Sequence, residues 1–180
     1  MLLELMNGIA YIGIAVLMFP ILRQQNVSLA LGYFGFRIIE FAMQIASDIS
    51  PLSLLTLSER FVSEGAPEAS SFKNLGALLL AERHSAFLMV MLTFGLGALL
   101  FYYLLYQSKL MPRFISIWGL IAATVVLADL ILNMLGLNPG QFLGVPMLLN
   151  ELFLGAWLIV KGFNQPANAS GFAKTDMDEG

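Results

Sequence analysis

The chain contains no cysteine and a single histidine, His84, in 180 residues. The first absence removes any disulfide framework, thiolate metal site or cysteine nucleophile. The second leaves a metal site or a serine–histidine pair with only His84 to draw on, and carboxylates such as Glu4 or Glu82 would have to complete any metal site. Charge is also scarce. Asp, Glu, Lys and Arg make up 12% of residues, about half of the roughly 25% usual in a soluble globular domain. The net charge is −3, with Asp176, Asp178 and Glu179 in an acidic tail, so the chain lacks a basic nucleic-acid footprint and no nucleic-acid partner is expected. No Gly-x-Ser-x-Gly elbow, His-Glu-x-x-His helix, Gly-Lys phosphate loop or Gly-x-Gly-x-x-Gly turn occurs. No catalytic residue, cofactor or metal ligand is therefore assigned.

What is abundant is apolar surface: 58% hydrophobic residues and a mean hydropathy of +0.81. A domain of this length cannot hide that much from water, so the expected class is an all-α integral membrane helical bundle in a lipid bilayer. Five apolar runs approach the roughly 20 residues that cross a hydrocarbon core of about 30 Å. They predict transmembrane helices at about 2–22, 28–49, 85–106, 114–135 and 142–160 within a bundle spanning 1–163. Residues 59–71 (ERFVSEGAPEASS) read as an outer polar loop. Pro51 is expected to kink or interrupt the second helix. The helix before residue 85 should stand at or above the interface and pack against Leu52 to Leu57. Residues 164–180 lack apolar periodicity and read as a disordered tail.

Arg23, Lys109, Arg113 and Lys161 fall at one end of these spans, and Arg60, Lys73 and Arg83 at the other. The positive-inside rule then predicts a cytoplasmic C-terminus. Tyr11, Tyr102, Tyr103, Tyr106, Trp118 and Trp157 are candidates for interfacial belts. Met1 to Pro20 has no basic leader or small-residue cleavage site and reads as a retained span. An outer N-terminus opening directly on an apolar run fits either a five-helix protein inserted that way or a bundle with a further helix upstream.

The second span carries the most polar groups. Tyr33, Arg37, Glu40, Gln44, Ser47 and Asp48 recur every three or four residues, hence on one helical face. A charge at mid-bilayer costs about 2.5–3.5 kcal/mol on insertion scales, so this face should avoid lipid. Arg37 and Glu40 are spaced to pair. Asp129 with Asn133, and Asn150 with Glu151, add polar groups deep in the fourth and fifth spans. The candidate intramembrane cluster is Arg37, Glu40, Gln44, Asp129, Asn150 and Glu151. If Arg37, Glu40, Asp129 and Glu151 meet, one cation faces three acids. Two would then need a proton, a bound cation or a watery cavity. One reading is a wall for a small ligand, a cation or a transport path, including a regulatory use; the other is interhelical glue that only fixes packing. Gly119, Ala123, Gly95 and Gly97 suit close helix approach.

Four strings, LALGYFGFRIIE (residues 29–40), LGALLLA (75–81), FGLGALLFYYLLYQSKLMPRFISIWGLI (94–121) and ELFLGAWLIVKGF (151–163), together resemble the bacterial membrane-protein family catalogued as domain of unknown function 4386. The resemblance implies a multi-pass helical protein of a bacterial inner (plasma) membrane, with no chemistry attached. It also implies one more apolar helix upstream of the segment matching residues 2–22, a first helix that this sequence lacks. Arg37, Glu40, Arg113, Glu151 and Lys161 lie on polar positions of the resembling strings, whereas Asp48 and His84 depart from the pattern.

Overall fold

The computed structural model describes residues 2–63, 69–137 and 141–163, and among them finds helices and no strand. Helix α1 is Leu2–Leu22, α2 Val27–Ser63, α3 Ala69–Ser108, α4 Arg113–Met134 and α5 Val145–Val160, with a 3₁₀ turn at Gln141–Gly144 before α5. Helices α1 to α4 are each long and apolar enough to cross a membrane. Helix α5, at 16 residues, rises only about 24 Å, short of a hydrocarbon core about 30 Å thick. Leu3, Leu17 and Ile159 are 80%, 74% and 87% exposed, an outward apolar surface that suits lipid and not water.

Local chemistry sets the helix ends. Pro20 lies in the last turn of α1, where its missing N–H removes the donor to the Val16 carbonyl. The chain then reverses over Arg23 to Asn26, and Asn26 Oδ1 accepts the Leu29 backbone N–H at 3.0 Å, a side-chain cap for α2. Pro51 does not end α2, which continues to Ser63. Helix, not loop, therefore occupies residues 59–63 and 69–71 of the stretch read as the outer polar connection; residues 64–68 lie outside the described residues, as do Asn138 to Gly140 and the tail from 164. Packing supplies what the composition of that stretch withholds. The extensions of α2 and α3 brace each other, with the Phe61 and Phe72 rings 5.3 Å apart and Leu54 lying over Gly76.

At 37 and 40 residues, α2 and α3 rise about 55 and 60 Å, so this antiparallel pair extends past the shorter helices. Each helix packs on its chain neighbours: α1 on α2, α2 on α3, α3 on α4 and α4 on α5. Close approach is bought with small residues at α3–α4, where Tyr102 lies against Gly119 and Leu127 against Gly95. Side chains of all five helices share one core, including Met18, Tyr33, Leu105, Ile115 and Met147. The arc of helices is not closed, because no Cα of α1 comes within 8 Å of one in α5.

Candidate functional site

Between α1 and α5 the buried middle of α2 and α3 forms the floor of a cleft. A cavity of about 300 Å³ lies there, lined by Tyr11, Ile14 and Met18 of α1, Tyr33 and Arg37 of α2, Phe101 and Tyr102 of α3, and Glu151, Leu154, Gly155 and Leu158 of α5. A second cavity, about 800 Å³, lies between α3, α4 and α5, with His84, Asp129 and Asn133 on its wall. Tyr11 and Glu151 line both. The two volumes thus meet at one tyrosine and one carboxylate.

Arg37 is held by its own helix. Its Nη1 donates to both carboxylate oxygens of Glu40, at 3.2 and 2.9 Å, across one helical turn. Glu40 is 1% exposed, so this is a buried ion pair whose members depend on each other. The guanidinium carbon lies 5.6, 5.5 and 5.5 Å from the ring centroids of Tyr11, Tyr33 and Phe94, where aromatic faces replace part of the lost hydration. Arg37 is 8% exposed, and its Nε is buried with no hydrogen-bond acceptor. Ser116 Oγ and Asn150 Oδ1 are likewise buried without a partner, each at a cost in desolvation.

The six residues of the sequence-derived cluster separate in three dimensions. Arg37, Glu40 and Glu151 gather at the first cavity: Arg37 and Glu151 line it, and Glu40 stands behind Arg37. Gln44 belongs to the next stretch of α2, donating from Nε2 to Asp48 Oδ1 at 3.4 Å. Close to that end of the bundle, Arg83 Nη2 meets Glu4 Oε1 at 2.8 Å and ties α3 to α1. Asp129 is engaged on α4, accepting from Asn133 Nδ2 at 3.1 Å through Oδ1 and at 2.8 Å through its backbone carbonyl. It reaches Glu151 only across the second cavity. Asn150 is fully buried in the α4–α5 seam, where its Nδ2 donates to the Ile115 carbonyl at 3.1 Å. The arrangement of one cation facing three acids therefore reduces to an Arg37–Glu40 pair with Glu151 across a cavity.

Of the candidates for interfacial belts, Tyr102 lies buried on the cavity floor, and Tyr11 also stands away from a belt. It stands halfway along α1, hydrogen-bonded to Asn7, and lines both cavities. Its mid-span position was the available signal, since a belt tyrosine belongs near a helix end. Tyr33, Phe101 and Tyr102 complete the aromatic floor, with Tyr33 and Phe101 stacked at 5.0 Å. Belt-like contacts occur at the other end of the chain's helices, where Lys161 lies 4.6 Å from the Trp157 ring and Arg113 5.7 Å from that of Tyr106.

A mostly apolar cleft with a few convergent polar groups is the usual form of a small-molecule site. No curated protein and no solved structure matches the chain. The model of the family described as Domain of unknown function (DUF4386) matches residues 1–162. The helical fold, the apolar exterior and this match over most of the chain agree, and the protein belongs to that family.

Proposed function

We propose that this chain is a multi-pass membrane protein that binds a small amphiphilic molecule in the cleft between α1 and α5. The observation that carries the reading is the cavity of about 300 Å³ between α1 and α5, where Tyr11, Arg37 and Glu151 converge among apolar side chains. Arg37 pairs with Glu40 through Nη1 and lines the cavity together with Glu151. Lateral entry from the bilayer follows from the separation of α1 and α5, whereas α2 and α3 remain packed along the floor. A bacterial inner-membrane location, with Arg23, Lys109, Arg113 and Lys161 toward the cytoplasm, belongs to the same proposal.

The structural reading keeps support from Gln44–Asp48, Asp129–Asn133 and Asn150–Ile115, each engaged within the bundle. We assign those residues to packing and Arg37, Glu40 and Glu151 to the site. The absence of cysteine makes a direct test clean. Gly155 faces open space and Ser116 is fully buried. Gly155→Cys should react with N-ethylmaleimide at least about tenfold faster than Ser116→Cys, because thiol attack requires access. Added lipid extract should slow only the first. An inert Gly155→Cys, or one whose rate ignores lipid extract, would overturn the proposal.

A further inference from the structure

The two cavities follow one another along the bundle. On α3, His84 and Phe94 line the larger cavity, and Phe101 and Tyr102 the smaller. The same order holds on α5, with Met147 on the larger, Glu151 on both and Leu158 on the smaller. From His84 to Tyr102 the helix rises about 27 Å, close to the roughly 30 Å of a hydrocarbon core. Two chambers that meet at Tyr11 and Glu151 therefore stand at different depths of the bilayer.

Their linings differ in kind. Beyond Glu151 the smaller chamber offers Ile14, Met18, Leu154 and Leu158, a lining for an apolar tail. The larger chamber presents Tyr11, His84, Asp129, Asn133 and Glu151 among apolar side chains. No described lysine or arginine lines it, so a phosphate or sulfate head would find no permanent cation there. Packing ties Asp129 to Asn133 without exhausting the carboxyl group: Oδ1 accepts from Asn133, and Oδ2 has no hydrogen bond among the described residues. Glu151 forms no hydrogen bond or ion pair among them. An ammonium head would require these carboxyls to be ionised. A hydroxyl makes no such demand, because it donates to a carboxylate and accepts from a carboxylic acid. The exposed Phe87 ring adds an aromatic face for the apolar C–H side of a sugar.

Resting on the binding reading above, we infer that the two chambers together hold one amphiphile with an uncharged polyhydroxyl head. The head lies in the larger chamber against Asp129, Asn133 and Glu151, and the tail passes Tyr11 into the smaller one. At about 800 Å³ the larger chamber is in the usual range of small-molecule sites and admits a sugar. Two sources carry this chemistry, a glycosylated lipid of the bilayer and a free single-chain glycoside.

The full chain in phosphatidylcholine nanodiscs is photolabelled with an alkyl glucoside bearing a diazirine at the end of its tail, and the labelled peptides are mapped. Labelling should saturate and fall on the segments of Ile14 and Leu158. At equal membrane concentration, octyl glucoside should compete about tenfold better than octylamine or octyl sulfate, the scale of one or two hydrogen bonds. Monoglucosyldiacylglycerol as the stronger competitor identifies a bilayer lipid as the source, and octyl glucoside as the stronger a free glycoside. Glu151→Gln and Asp129→Asn, whose amides still hydrogen-bond a hydroxyl, should keep the preference, whereas Glu151→Leu should lose it with helix content unchanged. Equal competition by the three octyl compounds, a preference for octylamine, or a glucoside preference that Glu151→Gln abolishes or Glu151→Leu preserves overturns the assignment of the head. Gly155→Trp, in the smaller chamber, separates this from failure of the site itself. If it blocks saturable labelling while the three compounds compete equally, the cleft stands and the head assignment falls; if it leaves labelling unchanged, both fall.

Discussion

Asn150 and Glu151 are adjacent on α5, yet the structure puts them to different uses. Asn150 turns into the α4–α5 seam, fully buried and hydrogen-bonded to Ile115, whereas Glu151 turns onto the cleft and lines both cavities. One step along an α-helix rotates a side chain by about 100°, enough to move it from one seam to the next. A polar residue inside a span is therefore not yet a site. What distinguishes the two is whether a neighbouring helix has closed over the group, and α4 does so for Asn150 while α1 does not for Glu151.

The largest test of this contrast is Glu40→Ala. Removing one member of a buried ion pair strands the other, so stability should fall by about 3–5 kcal/mol, measured by unfolding in detergent. A loss below about 1 kcal/mol would mean that water already fills the cleft around Arg37 and that the pair is not buried in effect.

A second comparison sets the closed α3–α4 seam against the open cleft. At Gly119 an added methyl meets the Tyr102 ring, and Gly119→Ala should cost about 1–3 kcal/mol through overpacking. Gly155 has nothing within 4 Å of its added methyl, so Gly155→Ala should be neutral or stabilise by up to about 1 kcal/mol through helix propensity. Equal shifts in thermal midpoint for the two variants would show that the cleft is closed.

The smallest effects come from the adjacent pair itself. Asn150→Ala strips one hydrogen bond from the α4–α5 seam and should cost about 0.5–1.5 kcal/mol. Glu151→Gln should leave stability within about 0.5 kcal/mol, as substitutions outside the packed core usually do. A stability loss from Glu151→Gln that matches that of Asn150→Ala would make Glu151 a packing residue.

The pairings that the sequence made visible are the ones within a single helix. Arg37 with Glu40, Gln44 with Asp48 and Asp129 with Asn133 lie three or four residues apart, and helical geometry brings such residues together in any α-helix. The helical class and the apolar exterior follow equally directly, because backbone groups in lipid must be satisfied within the helix. The polar face of α2 was readable from its period, although its division into a cleft part at Arg37 and an outer part at Gln44 and Asp48 was not. Of the two outcomes expected at Pro51, a kink or an interruption, the interruption does not occur: α2 runs on to Ser63, braced against α3 through Phe61 and Phe72.

Sequence alone thus determined what each helix is, how its polar residues share a face and that lipid surrounds it, all consequences of local geometry and composition. Only the tertiary structure decided that Glu151 stands across from Arg37, that Tyr11 joins them, and that Asn150 and Asp129 do not. Those outcomes depend on how the helices shape each other's neighbours: Tyr102 seats on Gly119 and draws α4 against α3, α5 follows α4, and α1 stays with α2. The gap that results belongs to no single segment, and so no stretch of sequence encodes it on its own.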